Sequence, residues 1–212
     1  MKGAVIVAGT DTDVGKTVFA AALTGALAAS YWKPVQCGIE GGTDAETVAQ
    51  LAGAGAAVLP EAYRLALPAS PHLAAEREGI EIDVNRLGLP ETPGPLVVET
   101  AGGLMVPLTR SRLQIDMIAR WQSPVILCAR TTLGTINHTL LSIEALLQRD
   151  IDLLGVAFIG DENADTERTI AEMGGVQLLG RLPRLDPLNA DTLAAAFGQH
   201  FDVAALRRDI AP

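Results

Sequence analysis

Four short apolar runs stand out along the chain: Ala4–Ala8, Pro95–Glu99, Pro124–Ala129 and Leu153–Ile159. Each is continuous rather than alternating, which predicts strands covered on both faces, as in a parallel sheet. Shorter strands are expected at Trp32–Gln36 and within Val176–Leu182. Helical spacing is read over Thr17–Ser30, Asp44–Ala52, Pro71–Gly79, Asp83–Leu87, Leu113–Arg120, Asn137–Arg149, Thr166–Met173 and Asp191–Phe197. Glycine and proline mark the turns: Gly9–Lys16, Pro60–Pro71, Ala101-Gly102-Gly103 and Leu133-Gly134-Thr135. Strands alternating with helices predict βαβ units. The expected fold is α/β: one three-layer domain over 1–212, with a mostly parallel central sheet flanked by helices.

Ligands of such sheets sit beyond the C-terminal strand ends. Gly9–Thr17, the Lys33 region, Glu99, the Thr131–Asn137 turn and Gly160-Asp161 all follow predicted strands, so they should converge on one face.

Composition narrows the possibilities. Of the 212 residues, 49% are hydrophobic but only 4% aromatic, so aliphatic side chains must build the core. The formal charge is −9 with no basic run, which argues against a nucleic-acid partner. No apolar stretch reaches the roughly 18 residues of a membrane span. Two cysteines, Cys37 and Cys128, without a secretory leader fit a reduced cytoplasmic protein.

The chemistry begins at GTDTDVGKT, Gly9–Thr17. A P-loop reads Gly, four residues, then Gly-Lys-Ser/Thr. Here the first glycine, Gly9, lies one residue further back, so the loop carries one extra residue. The context is right: an apolar strand before it and a proline-free helix after it. Backbone N–H groups there suit phosphate oxygens. Lys16 would neutralise the β/γ-phosphates of ATP, and Thr17 would face Mg²⁺.

Mg²⁺ takes oxygen ligands, often one or two carboxylates plus phosphate and water. Glu99, ending a predicted strand, is placed for this. Asp44 reads either as a second ligand or as an acid favoured by a helix N-terminus. Asp13, an acid beside phosphate, needs a metal or a cationic substrate group to offset it.

With these residues in view, the chain resembles the dethiobiotin synthetases. GTDTDVGKT, KPVQCG (Lys33–Gly38), SPH (Ser70–His72), VETAGG (Val98–Gly103) and LGTINH (Leu133–His138) occur in the family's order, spanning about Val5 to Leu185. The resemblance implies a homodimeric ligase of biotin biosynthesis. It would carboxylate 7,8-diaminononanoate with carbon dioxide and close a ureido ring at the expense of ATP, through a carbamate and a carbamic–phosphoric anhydride. It implies catalytic roles for Lys33, Lys16 and Thr12, and Mg²⁺ ligation by Thr17, Asp44 and Glu99. Nucleotide contacts would come from Asp13, Val14, Gly15, Lys16, Thr17, Val18, Asp44, Glu99 and Gly102. The purine would lie near Gly160, Asp161, Leu182, Pro183 and Arg184. Substrate contacts would come from Cys37 and Thr12 and, from a second subunit, from Leu133, Gly134, Thr135 and Asn137.

The chain departs from the family at three places. Cys37 replaces a small hydroxyl residue, Thr100 replaces a glycine, and the segment between the first helix and Lys33 is short. Rival readings are a ParA- or MinD-like partner-regulated ATPase, an amidating synthetase with a glutaminase domain, and an inactive nucleotide-binding homologue. The first would carry an additional lysine where Thr10 and Asp11 stand, and the second needs a domain for which 212 residues leave no room.

Overall fold

The computed structural model describes residues 3–210. Its centre is a parallel sheet of seven strands: β1 (Ala4–Gly9), β2 (Ser30–Trp32), β4 (Ala57–Val58), β6 (Leu96–Gly103), β9 (Val125–Arg130), β10 (Leu153–Ile159) and β11 (Leu178–Leu182), in the order β11-β10-β9-β1-β6-β2-β4. Two small pairs flank it: parallel β3 (Val35–Cys37) with β5 (Tyr63–Leu65), and antiparallel β7 (Pro107–Thr109) with β8 (Arg112–Leu113).

Helices cover both faces. Along β1, Ala4, Ile6 and Ala8 enter one core, while Val5 and Val7 enter the other, as the two-residue strand period requires. The first core packs under α3 (Pro71–Glu78), α4 (Gln114–Trp121), α5 (Thr135–Leu147) and α6 (Ala164–Gly174) through residues such as Ile118, Ile143 and Ile170. The second packs under α1 (Lys16–Leu27), α2 (Asp44–Leu51), α7 (Ala190–His200) and α8 (Val203–Ile210). There Phe19 meets Phe197 and Phe201 edge-on, with ring centroids 5.7 and 5.5 Å away. Three of the eight aromatics thus lock α1 to the C-terminal segment.

Several expectations are corrected. The helix expected over Thr17–Ser30 ends at Leu27, where Ala28 turns left-handed (φ 50°) and caps onto the Gly25 and Thr24 carbonyls. Its alanine-rich composition gives no stop signal, and Ser30–Trp32 instead pairs with β6. The strand expected over Trp32–Gln36 is two strands in two sheets, broken at Lys33-Pro34, because proline has no N–H to continue a ladder. Ala101–Gly103 is not a turn but the end of β6, with Gly103 beside Gly9 of β1. Asp83–Leu87 is a short 3-10 helix over Val84–Leu87. The strands β4, β5, β7 and β8 and the last helix α8 were not anticipated.

Candidate active site

The phosphate-type loop joins β1 to α1, where the sequence places it. It turns through left-handed residues at Asp13 (φ 55°) and Gly15 (φ 93°). Asp tolerates this conformation better than most side chains, whereas a Cβ on Gly15 would sit 2.7 Å from Ile159 Cγ2. Gly9 gives way to Lys16, whose Cδ lies 2.8 Å from the place of a Cβ there. Lys16 Nζ donates to the Asp11 carbonyl at 2.9 Å. Burial lowers the Lys16 pKa, partly opposed by the charge of Glu99.

Asp11 organises the other side of the loop. Its Oδ1 accepts the Thr12 N–H at 2.8 Å, and its Oδ2 accepts Arg130 Nη2 at 2.8 Å. Arg130 also reaches the Thr12 carbonyl at 3.4 Å. Sequence reasoning missed this pair. The signal available was a charged residue directly after the expected strand Pro124–Ala129, next to β1 in a parallel sheet.

Beyond the loop, three elements bring polar groups together. Glu99 stands in β6 beside Val7 of β1. Lys33 occupies the break between β2 and β3. Asp44 opens α2, which is fixed by a capping box between Thr43 and Glu46. Gln36 Oε1 accepts the Asp44 N–H at 3.3 Å.

Thr17 Oγ1 lies 2.7 Å from Asp44 Oδ1 and 2.8 Å from Glu99 Oε1, its proton shared between them. Lys33 Nζ donates to Glu99 Oε1 at 3.2 Å and also to Asp44 Oδ2. Tyr31 O–H donates to Glu99 Oε2 at 2.8 Å. Lys33 and Glu99 are 6% and 1% exposed, so this is a buried charge cluster rather than a surface pair.

Burial acts to lower the Lys33 pKa, but Glu99 and Asp44 together outweigh it and raise it. For Asp44, burial acts upward, and Lys33, aided by Thr17, holds the carboxyl below its usual value. The Tyr31 phenol is pushed well up, first by burial and then by Glu99.

The oxygens of Thr17, Asp44 and Glu99 make a compact set of hard donors, and Lys33 shows that the set attracts a cation. Among the described residues no group of three or more His, Cys, Asp or Glu side chains could hold a metal. Two carboxylates and a hydroxyl suit Mg²⁺, which completes its octahedron with phosphate and water.

These groups line a cleft of about 830 Å³. Its walls include Thr12, Asp13, Gly15, Lys16, Thr17, Val18, Lys33, Cys37, Asp44, Glu99 and Gly102, together with Gln36 and Pro68–Pro71. The Cys37 thiol is pushed up to about 11, chiefly by burial and against the charge of Lys33. Thr100 is 1% exposed and donates to the Val7 carbonyl at 3.4 Å, so its hydroxyl is held within the sheet. Val14 is buried against the α1 side of the core, leaving its backbone to the loop.

Other expected residues lie outside the cleft. Leu133, Gly134 and Asn137 are exposed at the start of α5. Thr135 is buried, its hydroxyl donating to the Arg130 carbonyl at 2.7 Å. Gly160 follows β10, its carbonyl accepting Arg181 Nη1 at 3.1 Å. Asp161 and Arg184 are exposed and 3.7 Å apart, Leu182 is buried, and Pro183 follows at the end of β11. The Gly160 region reaches the loop through Ile159, which packs on Gly15.

Comparison with known proteins gives a consistent picture. An AAA domain family model matches residues 3–192. The ATP-dependent dethiobiotin synthetase BioD of Rhodopseudomonas palustris (strain HaA2) is 64% identical over 206 residues, 97% of either chain. Among solved structures, a plasmid partition protein from Borrelia burgdorferi superimposes with a TM-score of 0.60 at 10% identity, covering 99% of this chain and 100% of that one. The septum site-determining protein MinD of Pyrococcus horikoshii, solved with Mg-ADP, gives 0.56 at 15% identity over 93% of each chain. At such identities these two share the fold alone.

Proposed function

The chain belongs to the ATP-dependent dethiobiotin synthetase family, and on that premise we propose that it converts 7,8-diaminononanoate, carbon dioxide and ATP into dethiobiotin, ADP and phosphate. The observation that carries this is the buried Lys33, held between Asp44 and Glu99 one step from Lys16 and Thr17, in a cleft that continues past the phosphate loop to Cys37 and Ser70. A ligase must hold a second, anionic reactant beside the γ-phosphate, and the buried Lys33 and the room past the loop toward Cys37 and Ser70 suit that task.

The chemistry runs in three steps. One substrate amine adds to carbon dioxide and loses a proton, giving a carbamate. A carbamate oxygen attacks the γ-phosphorus, and the bond to the ADP oxygen breaks. The second amine attacks the carbamoyl carbon, phosphate leaves, a proton is lost and the ring closes. The carbamate alone is a poor electrophile, which is why phosphorylation must precede closure.

This transfer asks for positioning and charge neutralisation. Lys16 lies at the loop for the β/γ-phosphates. Lys33 keeps its charge because two carboxylates hold it there, and it can turn that charge to the carbamate and the transferring phosphoryl oxygens. Thr12 is exposed on the cleft wall, with its hydroxyl available to either anion. Asp13 would meet a substrate amine. Mg²⁺ on Thr17, Asp44 and Glu99 would neutralise phosphate charge.

The tail carboxylate suits the N–H groups at the start of α5, reached in a homodimer from a second copy. The exposed Leu133 and Asn137 outside this copy's own cleft support that arrangement. The purine would lie along Gly160-Asp161 and Leu182–Arg184, next to Gly15. The test is phosphate release from ATP and Mg²⁺ with bicarbonate, with and without 7,8-diaminononanoate. Release that depends on the diamine supports the proposal; release indifferent to it, or none, contradicts it and favours a switch ATPase or an inactive homologue.

A further inference from the structure

Glu99 has both oxygens engaged, and by different partners. Oε1 faces Thr17 and Lys33, while Oε2 takes the Tyr31 phenol at 2.8 Å. Tyr31 is the middle residue of β2 and is fully buried. In the parallel register it lies beside Val97, two residues before Glu99, so its hydroxyl reaches along the sheet to the carboxylate. Hydrogen bonds to an ionised acceptor are about twice as strong as neutral ones. A phenylalanine would fill the same space, so the hydroxyl, unlike the ring, points to a task at Glu99. With Oε2 pinned, the carboxylate cannot pivot, and Oε1 is the oxygen turned to the cleft.

We propose that Tyr31 is a positioning residue of the cation site, clamping Glu99 so that Oε1 is presented beside Thr17 Oγ1 and Asp44 as a single-oxygen ligand for Mg²⁺. The proposal rests on the metal role given above to Thr17, Asp44 and Glu99. Partners that orient a metal ligand commonly change metal affinity by about 10–100-fold.

The test is ADP binding by titration calorimetry, in EDTA and over a series of Mg²⁺ concentrations, with wild type and Tyr31→Phe. In EDTA the two proteins should bind ADP equally. The Mg²⁺ concentration that gives the half-maximal gain in ADP affinity should rise about tenfold in Tyr31→Phe. An unchanged Mg²⁺ midpoint overturns the proposal. So does an equal loss of affinity in EDTA, which would mark Tyr31 as support for the fold alone. If wild type gains nothing from Mg²⁺, the metal reading fails first and takes this proposal with it, a result that Tyr31→Phe cannot mimic.

Should Tyr31→Phe not fold, fluorotyrosine in the otherwise native chain provides the readout. Only Tyr31 and Tyr63 would be labelled, and Tyr63→Phe assigns them. Adding Mg²⁺ to the ADP complex should shift the Tyr31 fluorine resonance, and a Tyr31 resonance indifferent to Mg²⁺ overturns the proposal.

Discussion

Thr17 and Glu99, 82 positions apart in the chain, meet hydroxyl to carboxylate at 2.8 Å. One belongs to the first turn of α1 and the other to β6, so their contact joins the phosphate loop to the neighbouring strand. Lys33 completes the junction by bridging Glu99 and Asp44 with one ammonium.

Lys33→Gln removes the one ammonium shared by these carboxylates. Turnover should fall about 10²–10³-fold, the scale of losing a preorganised group that meets developing charge. ADP binding in EDTA should remain, because Lys16 and the loop amides are untouched. Stability to urea should drop by about 3 kcal/mol, since a buried carboxylate loses its partner. Unchanged turnover would remove Lys33 from the chemistry.

Gly15→Ala places a methyl 2.7 Å from Ile159 Cγ2, at a φ of 93° that a side chain rarely adopts. The loop must shift, so ADP affinity should fall at least about tenfold, the effect of roughly 1.4 kcal/mol of strain. Calorimetry reads this directly. Native affinity in Gly15→Ala would show that the loop backbone does not hold the phosphates.

Asp44 sets an acid limit. Although burial opposes it, Lys33 keeps the carboxyl below the ordinary aspartate range. A depressed carboxyl pKa stabilises the fold above the unfolded value, and the gain is lost as pH falls through the folded value. Urea midpoints of wild type should therefore decline below about pH 4 more steeply than those of Asp44→Asn. Parallel curves would contradict the ion pair.

Cys37 should be a sluggish nucleophile. Its thiol is raised from 9.0 to about 11, first by burial, and the thiolate is the reactive form. Alkylation by iodoacetamide near neutral pH should be slower than for a free thiol and should accelerate into strongly alkaline solution. Rapid neutral alkylation would contradict this environment. Cys128, wholly buried in β9, should react only on unfolding.

What the sequence reveals follows from what holds each element. Ala4–Ala8 and Pro124–Ala129 are legible because strands covered on both faces must be apolar throughout. Glu99 is legible because a carboxylate ending such a run must be paired or functional. The small strands β4, β5, β7 and β8 are only two or three residues long, too short to show a hydrophobic period; β4 and β5 are held by the distant β2 and β3, and β7 and β8 pair with each other across a tight turn. Tyr31 was hidden between the overextended helix Thr17–Ser30 and the strand expected at Trp32, so its bond to Glu99 needed the register of β2 on β6. The Arg130–Asp11 pair spans 119 positions and carries no local pattern. The family motifs single out Lys33, which the strand pattern marks only as following a predicted strand.

The central claim, ring closure driven by ATP, is tested most directly by following carbon. Purified protein would be given 7,8-diaminononanoate, ATP, Mg²⁺ and heavy-carbon bicarbonate, with the products read by mass spectrometry and phosphate measured alongside. The account predicts dethiobiotin labelled at its ureido carbon, with one phosphate released for each ring formed. Phosphate release without labelled dethiobiotin would contradict it.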